Sequence, residues 1–285
     1  MKNIGIGISA VAALIAAPAL AADMPIKAPP TPPPAPVYSW TGYYAGLNAG
    51  GGWENTINNS ATPCTDNVGG TACAVVPLPG AVPTELGTHP HGFISGGQIG
   101  YNWQKGVFVW GIETDFQGTN IKGAATGANT LPVPAAPPGV VTVTGTGSQK
   151  IDWLGTLRGR LGWLPVNPLL VYMTGGLAYG QVQTNVSFSG ITAPNGGPLI
   201  PFNGSTAASQ SNSLAGWTLG GGLEWMFAPH WTVKAEYLYY DLGAVTLYQN
   251  LTLTSTIIGT IFSTNIQSSA YYRGDIVRAG VNWKF

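Results

Sequence analysis

The stretch Asp275-Ile-Val-Arg-Ala-Gly-Val-Asn-Trp-Lys-Phe285 decides the fold. Counted back from the end, Phe285, Trp283, Val281, Ala279 and Val277 fall on one side of an extended chain, and Lys284, Asn282, Gly280 and Arg278 on the other. Such a period of two belongs to a strand with one apolar and one polar face. Chain ends usually fray in water, so a terminal strand that finishes on an aromatic residue points to apolar surroundings. The motif recurs. Gly100-Tyr-Asn-Trp103, Gly222-Leu-Glu-Trp225 and Gly280-Val-Asn-Trp283 share Gly–apolar–polar–Trp, and Leu161-Gly-Trp163 is a looser copy. Four similar strand ends predict four hairpin units in one closed sheet.

Working outward, seven further strands are predicted at about 40–53, 92–103, 107–117, 150–164, 169–186, 214–227 and 231–242, with 271–285 as the eighth. Each is long enough to cross a bilayer at a barrel tilt, which takes about 9–11 residues. Tight turns at 104–106, 165–168 and 228–230 alternate with long segments near 54–91, 118–149, 187–213 and 243–270. Short connections on one side and long ones on the other are the outer-membrane barrel pattern. An even strand count puts both ends on the short-turn, periplasmic side. The long segments are rich in Thr, Asn, Gly, Ser and Pro and read as solvated surface loops. Tryptophans gather in two belts: Trp40, Trp103, Trp163, Trp225, Trp231 and Trp283 near the short turns, and Trp53, Trp153 and Trp217 near the long connections. The fold class is therefore all-β, an eight-stranded antiparallel transmembrane barrel.

Composition agrees. Charged residues make up 8% of the chain, against about 25% in ordinary soluble domains. Ten Trp and twelve Tyr are a heavy aromatic load, suited to lipid-facing walls with interfacial belts. The net charge of zero leaves no electrostatic footprint for nucleic acid.

Residues 1–21 read as a secretory signal, with Lys2, a short apolar run from Ile4 to Leu14, and Ala19-Leu20-Ala21 before the cleavage point. Residues 22–38 form a Pro-rich periplasmic segment. It holds seven prolines between Pro25 and Val37 and reads as an extended spacer, either a loose tail or a stalk toward another layer. The barrel is placed at 39–285. Cys64 and Cys73 are the only cysteines. In an exported chain they read as a disulfide closing a small loop.

Strand parity turns eight charges inward: Glu113, Asp115, Arg158, Arg160, Glu224, Lys234, Glu236 and Arg278. On the lipid face near the midplane, an Arg or Lys would cost about 2–4 kcal/mol. Four acids against four bases predict a buried ion-pair network, because unpaired buried charge is costly. A selective pore would favour one sign along its lining.

The start Tyr38-Ser-Trp-Thr-Gly-Tyr-Tyr-Ala-Gly-Leu-Asn-Ala-Gly50, the Arg158-Gly-Arg-Leu-Gly-Trp163 hairpin and the 275–285 end resemble the alphaproteobacterial outer-membrane β-barrel proteins of the RopB type, often labelled porin family. The junction at Ala21-Ala22-Asp23-Met24-Pro25 is similar to theirs as well. The resemblance covers the whole mature chain. It implies an OmpA-like barrel, an abundant surface protein, and roles in envelope integrity and host contact. It implies no catalytic residue. It also implies that the barrel-assembly machinery reads the terminal aromatic strand, which makes Val281, Trp283 and Phe285 a candidate assembly signal. This chain departs from the family in its longer loops, above all the Cys-bearing first one.

Other signals are weak. His89 and His91 with Glu85 nearby form too small a set for a metal centre, and no metal is expected. An embedded lipid-modifying enzyme needs a His and Ser on the barrel wall within hydrogen-bond reach, and no His falls well inside a predicted strand. The glycine clusters at 50–52, 175–176 and 220–222 precede no helix that could hold a phosphate, and no cofactor is expected. The resulting expectation is an integral outer-membrane protein with structural and surface roles and no enzymatic activity. A small diffusion pore for hydrophilic solutes is the alternative, and a lipid-modifying enzyme the third. The expected partners are outer-membrane lipid and lipopolysaccharide, the assembly machinery, and a surface or host ligand reached through the loops.

Overall fold

The computed structural model describes residues 39–54, 56–63, 78–133, 139–194, 202–254 and 261–285. The expected signal, the Pro-rich segment and both cysteines, Cys64 and Cys73, lie outside the described residues. In chain order the elements are β1 (Gly42–Glu54), β2 (Ile57–Pro63), a one-turn α1 (Leu78–Ala81), β3 (Glu85–Leu86), β4 (His91–Lys105), β5 (Phe108–Thr119), β6 (Lys122–Val133), β7 (Gly139–Val166), β8 (Leu169–Pro194), β9 (Asn203–Ala228), β10 (Trp231–Thr254) and β11 (Ile261–Lys284).

Eight of these strands close a ring in the order β1–β4–β5–β7–β8–β9–β10–β11, and β11 pairs back onto β1. Every neighbouring pair is antiparallel. The closing seam sets Leu47 opposite Val281 and Ala49 opposite Ala279, and the Phe285 N–H donates to the Tyr43 carbonyl at 3.0 Å. Closure satisfies every backbone group that would otherwise face hydrocarbon. Tight turns join the staves at Gly106-Val107, Asn167-Pro168 and Pro229-His230. Gly106 takes a positive φ of 63°, a conformation glycine adopts without a Cβ clash.

The outer wall is apolar. Tyr43, Leu47, Ile99, Phe116, Met173 and Val277 all point outward and stay exposed. Aromatic contacts knit the two belts. Trp231 meets Trp283 at 4.9 Å near the short turns, and Phe116 meets Trp153 at 5.4 Å near the long connections. Trp40 corrects the expected belt: it lies at the short-turn end but is 1% exposed, inside the barrel. Its parity explains this, since Trp40 shares the even register of inward Tyr44 and Asn48.

The long connections are themselves largely strand, a refinement of the solvated-loop reading. Strands β7 to β11 run 28, 26, 26, 24 and 24 residues, more than twice what a crossing needs. Beyond the outer belt two sheets separate, β6–β7–β8–β9 and β10–β11–β2–β3. Pairing between β9 and β10 lapses from Asp241 to Thr254. Their inner faces share one apolar core that includes Val143, Val186, Phe188, Leu247, Leu251 and Leu253. A side chain at Gly147 of β7 would strike Ile57 of β2 and Leu86 of β3, so the sheets pack closely. The outer faces carry Thr, Ser, Asn and Gln. Turn-like composition on one face masked the period of two on the other.

Candidate functional site: the charged lumen

Two-residue periodicity aims the interior side chains of every stave at the barrel axis. Glu113 and Asp115 come from β5, Arg158 and Arg160 from β7, Glu224 from β9, Lys234 and Glu236 from β10, and Arg278 from β11. All eight are buried. The lipid-facing wall on one side and the packed lumen on the other keep water from screening them, so geometry decides their energy.

The contacts run across the lumen as well as along the wall. Arg158 is the hub. Its guanidinium reaches Glu113 at 2.5 Å, Glu236 at 2.9 Å and Asp115 at 3.0 Å, and its Nε donates to the Thr156 hydroxyl at 2.9 Å. Lys234 donates to both Glu113 oxygens at 2.8 and 3.0 Å. Arg278 bonds Glu236 at 2.6 Å and Asp115 at 2.8 Å. Arg160 bonds Glu224 at 2.6 Å and stacks its guanidinium over the Tyr172 ring at 4.0 Å. Four acids thus meet four bases, each with a partner at hydrogen-bond distance.

Neutral groups add to the shells of Glu113, Glu236 and Glu224. Tyr44 donates to Glu113 at 2.7 Å and Tyr172 to Glu236 at 3.1 Å. Glu224 accepts from Thr232 at 2.6 Å and from Asn282 at 2.8 Å. Gln98 bridges onward to Asn282 at 2.6 Å and also binds Asn48. Sequence reading did not single out these residues, although their even or odd parity places each of them inward. Small inward residues make room: a Cβ at Gly50 would collide with the β11 backbone at Val277.

The lumen is also filled on both sides of this layer. Toward the short turns, Trp40 packs with Val109, Leu164, Leu170, Tyr172 and Met226, and its indole N–H donates to the Asn167 carbonyl at 3.1 Å. Toward the long connections, Tyr240 donates to buried Glu54 at 2.8 Å. Tyr272 donates to the Gln183 carbonyl at 2.7 Å. The apolar core of the two upper sheets follows.

The terminal strand lies apart from this cluster. Val281, Trp283 and Phe285 face outward, with Phe285 72% exposed, and His230 stacks on Trp283 at 5.1 Å. His91 points outward, and its Nδ1 contacts the His89 carbonyl at 3.0 Å. Among the described residues no group of three His, Cys, Asp or Glu could hold a metal ion.

The family model described as an outer membrane protein beta-barrel domain matches residues 8–285. The 31 kDa outer-membrane immunogenic protein of Brucella melitensis is 33% identical over 290 residues, covering 98% of each chain. The 22 kDa outer membrane protein of Rhizobium leguminosarum is 29% identical over 161 residues, covering 55% of this chain and 57% of that one. Among solved structures, Neisserial surface protein A superposes with a TM-score of 0.31 at 12% identity, over 86% of this chain and 98% of that one.

Proposed function

The chain belongs to the outer membrane protein beta-barrel family, and we propose that it serves as a closed structural stave that holds a folded β-sheet head above the outer membrane. As an integral outer-membrane surface protein, it has outer-membrane lipid as its solvent. The observation that carries the closed-stave reading is the cross-lumen network. Among the described residues, ion pairs link opposite walls, with the Trp40 cluster below them and an apolar core above. The balanced charge supports the same reading, since a selective pore is lined by one dominant sign.

The head supports the surface role. Its outer faces carry few charges and are rich in hydroxyls and amides, and they rest on a buried apolar core, so it can present a folded surface to a partner outside the cell. The Brucella relative is named as immunogenic, which fits display at the surface. Among the described residues no constellation in the lumen pairs a nucleophile with a His base, and the relatives' names point to no enzyme. Assembly through the terminal strand, with Phe285 at its end, belongs to the same proposal.

Liposome swelling tests the closed state. Proteoliposomes carrying the folded barrel and placed in isosmotic L-arabinose should swell no faster than protein-free liposomes. Swelling that scales with protein content would favour the diffusion-pore alternative.

A further inference from the structure

One row of residues crosses five strands at a single height, and the folded protein alone does not account for it. Register sets Trp53 of β1 opposite His91 of β4, His91 opposite Lys122 of β6, Lys122 opposite Lys150 of β7, and Lys150 opposite Gln183 of β8. Both lysines are exposed and on the outward face. The row rides on the outer aromatic belt, where Phe116 tilts against Trp153 at 5.4 Å and Trp153 meets Tyr179 edge-on at 6.1 Å.

Like charges directly opposite one another destabilise a sheet, and among the described residues only Lys150 of this pair has an ion-pair partner. Lys150 is bonded to Asp152, whose other oxygen accepts from Gln183 at 2.7 Å. Among the described residues Lys122 makes no ion pair. The opposite rim is different in character. There Asp241 stands opposite Arg273 and Tyr239 opposite Asp275, two acids to one base. The charge balance therefore differs between the two sectors: two lysines to Asp152 on this side, against Arg273 to Asp241 and Asp275 on the other.

We propose that Lys122 and Lys150, above the Phe116–Trp153–Tyr179 cluster, form a binding site for a phosphate of an outer-leaflet glycolipid. The belt rings contact the glycolipid's acyl and sugar boundary, where amphipathic aromatics settle. The ammoniums donate charge-assisted hydrogen bonds to the phosphate oxygens, and the anion relieves their mutual repulsion. His91 extends the donor row on one side and Gln183 on the other. This inference does not depend on whether the lumen is closed.

Native mass spectrometry of the full chain, released from detergent with added lipid, tests it. The probes are diphosphoryl lipid A, the same lipid stripped of both phosphates, and phosphatidylglycerol. Wild type should retain one diphosphoryl lipid A in preference to the stripped lipid. Lys122→Gln and Lys150→Gln should each weaken retention about fivefold, and the double variant about 25-fold. Lys122→Arg should retain the lipid. All variants should keep the heat-modifiable mobility of the folded barrel, since the side chains lie on the surface. Equal retention of the phosphate-free lipid, unchanged retention by the double variant, or lysine-dependent retention of phosphatidylglycerol without preference for the glycolipid would each overturn the site.

Discussion

Glu113 and Lys234 stand on opposite staves of the barrel, yet the Lys234 Nζ lies 2.8 Å from Glu113 Oε1. Counting round the ring from β1, β5 is third and β10 seventh of eight, half a turn apart. A direct bond across that diameter spans the lumen at this level. Arg158 and Arg278 fill the flanks, each bonding one of Glu236 and Asp115 from the adjacent stave and the other across the lumen. Balanced sign on the page of sequence has become a crossbar in space.

Removing the hub should be costly. Arg158→Ala strips Glu113, Asp115 and Glu236 of a shared cation while all three stay buried. Breaking a buried pair on one side costs about 3–5 kcal/mol. Urea unfolding of the barrel in detergent should show a lowered midpoint of that order, or bilayers containing the variant should acquire conductance. No change in either would contradict the network's role. Lys234→Met should be milder, because Arg158 and Tyr44 still contact Glu113.

The lower closure rests on one side chain. Trp40→Ala removes a fully buried indole and leaves a cavity beneath the charge layer, and Trp→Ala changes in cores cost about 3–5 kcal/mol. Trp40→Phe should recover most of the packing but not the bond to the Asn167 carbonyl. Thermal unfolding midpoints in the order wild type, Phe, Ala would support this. A surface-like indifference to Ala would place Trp40 back in the lipid-facing belt.

The upper sheets should fail independently of the barrel. Leu251 is wholly buried in their shared core, and Leu251→Ala should cost about 2–5 kcal/mol there. Protease added to intact cells should cut the variant's head faster than wild type, while the heat-modifiable band of the barrel persists. Loss of both together would mean that head and barrel fold as one unit.

Phe285 separates assembly from stability. The ring is exposed, and only its backbone N–H ties it to Tyr43. Deleting it removes one interfacial aromatic, roughly 1.5–3 kcal/mol if it were fully buried, too little to unfold eight staves. Folded protein in cells should fall far more than the stability of protein refolded in detergent. Normal surface levels of the deletion variant would leave Phe285 as an ordinary belt residue.

Much of this architecture is legible in the chain because a barrel wall has a strict period. Tyr43 and Leu47 against Tyr44 and Asn48, or Leu157 and Leu161 against Arg158 and Arg160, announce inside and outside without any long-range information. Register is another matter. The sequence places Glu113 and Lys234 inward but says nothing of their sharing a height, since that depends on stagger accumulated over several strands. Trp40 was legible by parity, but its place next to the first turn favoured the belt. The upper sheets were hidden by Thr, Ser and Asn, which serve strands and turns alike. The inward alternation of residues such as Leu247, Leu251 and Leu253, or Val141 and Val143, marks them. The Lys122–Lys150 row could not be seen at all, because β6 lies in a segment that reads as loop.

Single-channel recording in planar bilayers tests the closed lumen most directly. Wild-type protein, folded and heat-modifiable, should add no discrete conductance steps above the bare bilayer in molar KCl, while Arg158→Ala should yield them if it folds. Regular, long-lived steps from wild type, scaling with the number of inserted barrels, would contradict the account and make the charge cluster the lining of a pore.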